Sequence, residues 1–95
     1  MIKILIERRI MPGLEAEYEA VAREAMRQVL GAPGFGGGES LTEQGHDDRR
    51  LVITKWRDLN AWKAWRDSEQ RARVMQDLYP LLTEEERVRV FAPSY

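Results

Sequence analysis

The sequence predicts a single α+β domain whose elements follow the order strand, helix, strand, strand, helix, strand. Three observations support this fold class. Apolar residues alternate with a period of two near the amino terminus, they recur with a helical period over residues 14–29, and two later β-type segments flank a short polar turn. With 95 residues the chain has room for one core, so we expect one domain spanning residues 1–95.

The first strand is predicted at residues 2–10, where the isoleucines and Arg8 share one face. Residues 12–13, a Pro-Gly pair, end this strand. A helix is predicted at residues 14–29, because apolar side chains recur there at steps of three and four and form one stripe. Gly31 is expected to end the helix in the left-handed conformation, which glycine adopts without strain.

A β-hairpin is predicted next. Its strands are Phe35–Glu43, which the glycines at 36–38 weaken at its start, and residues 49–56. The polar residues 45–48 form the turn. Strands joined by so short a connection are expected to pair in the antiparallel sense.

A second helix is predicted to begin at Asp58, whose carboxylate can cap the first turn, and to end at residues 79–80 before the proline ring. The polar pair at residues 67–68 is expected to kink or restart it. Residues 83–86 match a capping box, but the alternating residues that follow predict a strand at Arg87–Phe91. We therefore expect one helical turn before that strand.

This order of elements is typical of the ferredoxin-like βαββαβ sandwich, with both helices on one face of the sheet. The other face would carry Leu5 and would lie bare in a monomer, and an exposed apolar sheet face marks an interaction surface. We therefore expect a homodimer in which two sheets close into a dimeric α+β barrel, which also protects the strand edges. So small a domain without cysteines gains needed burial from such pairing.

Composition excludes several classes of function. The net charge of −1 argues against a dedicated nucleic-acid binder, which would carry a basic surplus. One histidine and no cysteine exclude a structural zinc site built from this chain alone, so no metal is expected. Charged residues interrupt the amino-terminal apolar run before it reaches the length of a signal peptide, and no stretch is long enough to span a bilayer. A cytoplasmic protein with no membrane partner is expected.

Three segments carry a resemblance to a known family. Residues 11–13 (Met-Pro-Gly) precede a glutamate-rich helix, and residues 32–35 (Ala-Pro-Gly-Phe) lead into the second strand. Residues 56–69 run from a strand-ending tryptophan through a helix with two more tryptophans to Ser-Glu. Over nearly the whole chain the sequence resembles the antibiotic biosynthesis monooxygenase family of small dimeric α+β barrels.

The resemblance implies a pocket between the sheet and the helices of each subunit. Oxygenases of this family oxidise electron-rich aromatic compounds, such as anthrones or quinols, with molecular oxygen and no bound cofactor. Such chemistry needs a dry apolar pocket, a proton acceptor and donors for a developing oxyanion. The expected function is a cofactor-independent monooxygenase acting on a small aromatic or quinol-like substrate. The alternatives are a non-catalytic barrel that binds small molecules and an isomerase or dehydratase, for which no proton-shuttling side chain is identified.

The haem-degrading branch of the family is less favoured. Its members carry an Asn on the first strand, a Trp on the second helix and, further along, a His that ligates iron. By this resemblance the matching positions are Arg8, Trp65 and Met75, so only the Trp is present. Without the ligand histidine, haem degradation loses its main support.

Arg8 and Trp65 are the leading candidate catalytic residues. The parity of Arg8 points it toward the helix-covered side of the sheet, where a guanidinium can hold a phenolic oxygen. The alternative is an arginine that reaches solvent or pairs with a glutamate. Trp65, at the family position, and Trp62 can stack on a flat substrate, although tryptophans on a packed helix often serve the core.

Further candidates have simpler alternatives. Asn60 is the third candidate catalytic residue, because family oxygenases use an Asn in this region to bond a substrate oxygen, but it can also satisfy backbone groups at the helix start. Met75 and Tyr18 are candidate substrate contacts. Tyr18 or Tyr79 can donate a proton into the pocket, and the spacing selects neither. His46 is expected at a solvated hairpin tip.

Overall fold

The computed structural model describes residues 1–95 and confirms the ferredoxin-like α+β architecture. The elements are β1 (Ile2–Arg9), α1 (Glu15–Val29), β2 (Phe35–Glu43), β3 (His46–Trp56), α2 (Leu59–Arg66), α3 (Glu69–Leu78), a short 3-10 turn (Tyr79–Leu81) and β4 (Arg87–Phe91). The strands form one antiparallel sheet in the order β2-β3-β1-β4, and the helices pack on one of its faces. No helix combines the length and the apolar character needed to cross a bilayer.

The end of α1 differs from the prediction. Gly31 does not adopt a positive φ, so its predicted left-handed conformation is wrong. The backbone N–H of Gly31 donates to the carbonyl of Gln28, and that of Ala32 donates to Val29, so the chain continues in tight turns. The positive φ falls at Gly34, where the chain turns into β2.

The hairpin is tighter than predicted. β3 begins at His46 rather than Arg49, and Gln44 and Gly45 alone form the turn. Gly45 has a φ of 81°, which allows the chain to reverse within two residues. The residues assigned to a polar turn therefore belong to the exposed end of a strand.

The second helix restarts where the sequence is interrupted. The Asp58 carboxylate caps α2 by accepting from the backbone N–H of Ala61 at 2.8 Å. α2 ends at Arg66, and the Ser68 hydroxyl caps α3 by accepting from the N–H of Arg71 at 3.1 Å. Both features confirm the prediction of a capped helix with a break.

The helical turn predicted at residues 83–86 is absent, so that prediction is wrong. The N–H of Thr83 donates to the carbonyl of Arg9 at 2.9 Å. The Glu86 side chain is held by two arginines from other elements. Thr83 and Glu86, the two residues of the capping box, therefore bond to residues far away in the chain. A local helical turn would have to break these bonds.

The buried residues form two clusters on the helix-covered face of the sheet. One surrounds Trp56 and includes Ile6, whereas the other surrounds Tyr18 and Leu78 and includes Ile10. Between Ile6 and Ile10 on β1 lies a layer of buried arginines: Arg8, its cross-strand neighbour Arg50, and Arg71 of α3, which are 7, 8 and 7% exposed. The core is therefore divided in two by a charged seam.

Candidate functional site

A cavity of about 370 Å³ lies between the sheet and the three helices, at the seam between the two clusters. β1, β2 and β3 form its floor, α1 one wall, and α2 and α3 the other. Its apolar and aromatic lining includes Ile6, Tyr18, Ala22, Met26, Val52, Trp56, Trp62, Trp65 and Met75. A cavity with this lining can enclose a small flat molecule and exclude water from much of its surface.

Arg8 and Tyr18 form the dry end of this cavity. The alternation of β1 points Arg8 toward the helices, and the apolar stripe of α1 brings Tyr18 over it. Arg8 Nη1 donates to the Tyr18 hydroxyl oxygen at 3.2 Å, and Tyr18 has no exposed surface. Arg8 Nη2 has no partner in the chain and is not fully enclosed, so it can donate to a bound molecule.

Glu86 is shared by two arginines. Its carboxylate oxygens accept from Arg8 Nε at 2.8 Å and from Arg71 Nη2 at 2.9 Å, and the Tyr79 hydroxyl donates to the same carboxylate at 3.1 Å. Two guanidinium groups against one carboxylate leave this cluster with a net charge of +1. A partly desolvated positive charge beside the cavity favours an anionic form of whatever binds there.

The pKa values in this cluster follow from its charges. Burial raises the pKa of Glu86, but the charges and hydrogen bonds of Arg8 and Arg71 outweigh burial and hold that pKa below its ordinary value. Burial likewise lowers the pKa of Arg8, and the neighbouring Tyr18 and Glu86 outweigh it and raise that pKa above its ordinary value. The ion pair is therefore fully charged at neutral pH.

A second arginine packs against the face of Tyr18. Arg50 lies directly opposite Arg8 in the sheet, and its guanidinium carbon is 5.5 Å from the centroid of the Tyr18 ring. Arg50 Nη1 donates to Glu19 Oε1 at 3.0 Å. The Tyr18 ring is therefore held by one guanidinium over its face and another at its hydroxyl.

The aromatic wall comes from β3 and α2. The ring centroids of Trp56 and Trp62 are 5.8 Å apart, and Trp56 Nε1 donates to the Thr54 hydroxyl at 3.0 Å. The indole N–H groups of Trp62 and Trp65 have no acceptor in the chain, and neither is sealed from its surroundings. The wall thus offers apolar faces and two unused donors.

The break between α2 and α3 ties this wall to the charged cluster. The Ser68 hydroxyl donates to the carbonyl of Trp65 at 2.7 Å and accepts from the backbone N–H of Arg71. The Arg71 guanidinium in turn lies 5.6 Å from the centroid of the Trp62 ring. One serine therefore positions residues on both sides of the break.

The structure brings together five of the six predicted site residues. Arg8, Tyr18, Trp62, Trp65 and Met75 all line the cavity. The sixth does not. Asn60 lies exposed in the first turn of α2, outside the cavity.

The other two residues considered also lie elsewhere. Tyr79 is 45% exposed and contacts Glu86 from outside the cavity, so of these two tyrosines only Tyr18 lines it. His46 lies on the hairpin, where its Nε2 is 3.7 Å from a Glu43 carboxylate oxygen, as its expected position at the hairpin implies.

Sequence reasoning missed several residues of the site, among them Arg50, Glu19 and the four that follow. Glu86 and Arg71 carry no local signal, although a buried Arg8 requires a counter-charge and thereby implies an acidic partner. Ser40 and Thr42 lie opposite Val52 and Arg50 in the sheet, so their hydroxyls share the cavity face. Only the register of the hairpin reveals them.

The chain matches known proteins in sequence and in fold. A family model described as antibiotic biosynthesis monooxygenase matches residues 1–77. No curated protein sequence is significantly similar to the chain.

Among solved structures, one described as an antibiotic biosynthesis monooxygenase superposes with a TM-score of 0.91 at 16% identity, covering 100% of both chains. SnoaB, described as a cofactor-independent oxygenase from Streptomyces nogalater, superposes with a TM-score of 0.87 at 21% identity, covering 99% of this chain and 94% of that chain. A conserved protein from Methanosarcina mazei Go1 gives 0.88 at 13% identity, covering 95% and 89%. At these identities the likeness establishes the fold alone.

Proposed function

Since the chain belongs to the antibiotic biosynthesis monooxygenase family, we propose that it is a cofactor-independent monooxygenase of small aromatic or quinol-like molecules and that it works as a homodimer. One observation carries the proposal. A single cavity combines an aromatic wall with a buried cluster of net positive charge beside a phenol hydroxyl. That combination suits a flat substrate that reacts as its oxyanion.

The reaction balances without a cofactor. In an anthrone, the methylene carbon between the aromatic rings becomes a carbonyl. In a quinol, a ring C–H becomes C–OH as the ring is oxidised to a hydroxyquinone. In both cases one oxygen atom of O₂ enters the product, and the other leaves as water with two hydrogens of the substrate. The substrate oxyanion supplies the electrons, so the protein has to stabilise that anion and keep water away.

The cavity residues divide these tasks. Arg8 donates from Nη2 to the substrate oxygen and, with Arg71 and Glu86, keeps it anionic. Tyr18 accepts from Arg8, which leaves its own O–H free to donate to the same oxygen. The proton released by the substrate leaves through the cavity mouth, where Glu19 provides a half-exposed carboxylate.

The bare face of the sheet supports the homodimer. Leu5 and Ile53 lie opposite each other on the face away from the helices, with Leu51 beside them, and Leu41 and Phe91 on the same face are exposed. A second copy of this face would remove these apolar side chains from water.

Oxygen consumption tests the proposal. We expect turnover of one or more anthrones or hydroquinones in chelator-treated buffer, with one O₂ consumed per product. Tyr18→Phe should lower kcat roughly 100-fold, because it removes a donor to the oxyanion. Tyr79→Phe is the matched control, since it removes a hydroxyl from the same network outside the cavity, and it should keep near-normal kcat.

A second candidate function is a non-catalytic barrel that binds small molecules. It is favoured by the absence of an unpaired base on the cavity face: Glu19 is already paired with Arg50, and His46 lies elsewhere. Tight ligand binding without oxygen consumption across the whole panel would decide for this function against the oxygenase.

A further inference from the structure

Arg23 is the one arginine of the cavity that has no acidic partner in the chain. Four arginines line the cavity. Arg8 and Arg71 are paired with Glu86, and Arg50 is paired with Glu19. Arg23, on the exposed side of α1 at the cavity mouth, forms neither an ion pair nor a side-chain hydrogen bond within the chain.

The acidic residues near Arg23 are committed elsewhere. Glu19, one helical turn earlier, could reach it as an i, i+4 partner but accepts from Arg50 instead. Glu24 accepts from Arg27 at 2.6 Å and from Gln28 at 3.2 Å. The guanidinium of Arg23 is therefore left to solvent and to whatever enters the cavity.

The remaining glutamate of the cavity rim points the other way. Glu39 lies opposite Ile53 in the sheet, and side chains directly opposite each other share a face. Ile53 belongs to the face away from the helices, so the Glu39 carboxylate leaves the sheet on that side. Four arginines are thus balanced on the cavity face by Glu19 and Glu86 alone, in a chain whose net charge is −1.

The size and lining of the cavity suit a fused-ring molecule. The cavity has a volume of about 370 Å³, and three indole rings line it. Tyr18 at the dry end and Arg23 at the mouth line the same cavity. A ring system held against Trp62 and Trp65 can therefore carry one polar group toward each of them.

We propose that Arg23 binds a carboxylate carried by the substrate, so that the preferred ligand is a fused-ring aromatic acid. The carboxylate lies at the mouth, and the reacting oxygen lies at Arg8 and Tyr18. A guanidinium matches a carboxylate with two parallel hydrogen bonds, which gives selectivity for an acid over a neutral analogue. This inference rests on the proposed function in one respect: it takes the cavity as the ligand site.

Binding without turnover tests the inference. The two probes are 6-hydroxy-2-naphthoic acid, whose hydroxyl and carboxylate lie at opposite ends of the fused rings, and its methyl ester. Both are titrated without oxygen while the fluorescence of the cavity tryptophans is followed. We expect the wild type to bind the acid about ten-fold more tightly than the ester, as a charge-assisted hydrogen bond at a half-exposed site provides. The preference should fall as the salt concentration rises.

Substitutions on α1 show whether Arg23 causes the preference for the acid over the ester. Arg23→Gln should bring the two dissociation constants together by weakening the acid alone, and Arg23→Lys should retain part of the preference. Arg27→Gln, one helical turn further and outside the cavity, is the matched control and should behave as the wild type.

The outcomes separate the two proposals. Equal binding of acid and ester by the wild type, or an acid preference that survives Arg23→Gln, would overturn the inference and leave the cavity as a ligand site. Failure of every variant to bind either compound would overturn the cavity as a site for fused rings, and the inference with it. Because no step requires O₂, neither result depends on whether the protein is an oxygenase.

Discussion

Glu86 is the residue on which the charge balance of the cavity depends. It is the only carboxylate that contacts Arg8 and Arg71, and its side chain is only 9% exposed. Without Glu86, the two buried guanidinium groups would repel each other where little water is present to screen their charges. Removing one member of a buried ion pair costs more than the pair contributes, because the other charge stays buried.

We therefore expect Glu86→Gln to lower the free energy of unfolding by roughly 3 kcal/mol, measured by urea denaturation. Glu84→Gln is the matched control. The Glu84 side chain is 59% exposed and lies 3.9 Å from Arg9, so its loss should change stability by less than about 0.5 kcal/mol. Equal effects of the two substitutions would contradict the role given to Glu86.

The same carboxylate sets part of the acid sensitivity of the fold. The pKa of Glu86 in the folded protein lies below its ordinary value of 4.5, so Glu86 stabilises the fold above that pH. This contribution is lost as the pH falls from about 4.5 through the folded pKa. The unfolding free energy of the wild type should decline over this range more steeply than that of Glu86→Gln.

At the scale of secondary structure, α2 packs closely against the turn that leads into β2. Gly34 has a φ of 84°, and a Cβ atom there would lie 2.6 Å from the Cβ of Ala61. Gly13 has a similar φ of 88° but nothing within 4 Å of that position. A substitution at Gly13 thus introduces backbone strain alone, whereas one at Gly34 adds steric overlap.

We expect Gly34→Ala to lower the free energy of unfolding by roughly 3 kcal/mol, from the left-handed backbone together with the overlap against α2. Gly13→Ala should cost only the backbone part, about 1 kcal/mol. Thermal or urea unfolding of both variants measures the difference. Similar losses for the two would show that α2 does not pack against Gly34 as described.

Elements with local signals could be predicted from the sequence, and those that depend on distant partners could not. The first strand and the Asp58 cap follow from alternation and from one helix-start residue. The left-handed conformation predicted at Gly31 falls instead at Gly34, beside Ala61 of α2. The helical turn predicted at residues 83–86 failed because Glu86 bonds to a residue 78 positions away.

The same contrast between local signals and distant partners holds for the residues of the site. Arg8 follows from the parity of β1, and Trp65 from a family resemblance. Ser40 and Thr42 depend on the hairpin register, which shifts between Thr42 and Glu43, and the sequence does not show this irregularity. Asn60 was placed near the cavity by resemblance alone, and the rotation of α2 leaves it in solvent.

At the scale of the whole molecule, one face of the sheet is covered by helices and the other is not. The centre of the uncovered face is apolar, with Leu5, Leu51 and Ile53, and charged residues such as Lys3 and Lys55 flank it. An apolar centre with a charged rim is the usual composition of a protein interface. This arrangement is the basis for expecting a dimer.

Leu5→Lys should weaken the homodimer by at least about 100-fold in Kd, because a twofold interface loses two apolar contacts and gains two buried charges. Sedimentation velocity over a range of protein concentrations measures this shift. Leu30→Lys is the control, since Leu30 is 67% exposed at the end of α1, away from the sheet face. A wild-type protein that sediments as a monomer throughout would rule out the homodimer.

The divided core has a consequence for finding the natural ligand. A compound that fills the gap between the Trp56 cluster and the Tyr18 cluster would touch both, and so would complete the interior that the chain alone leaves open. Any molecule bound only by the native state raises its stability, by about 2.7 kcal/mol at a concentration one hundred times Kd. A bound ligand therefore raises the melting temperature. A thermal-shift screen of a compound library ranks candidate substrates in this way before any reaction is known.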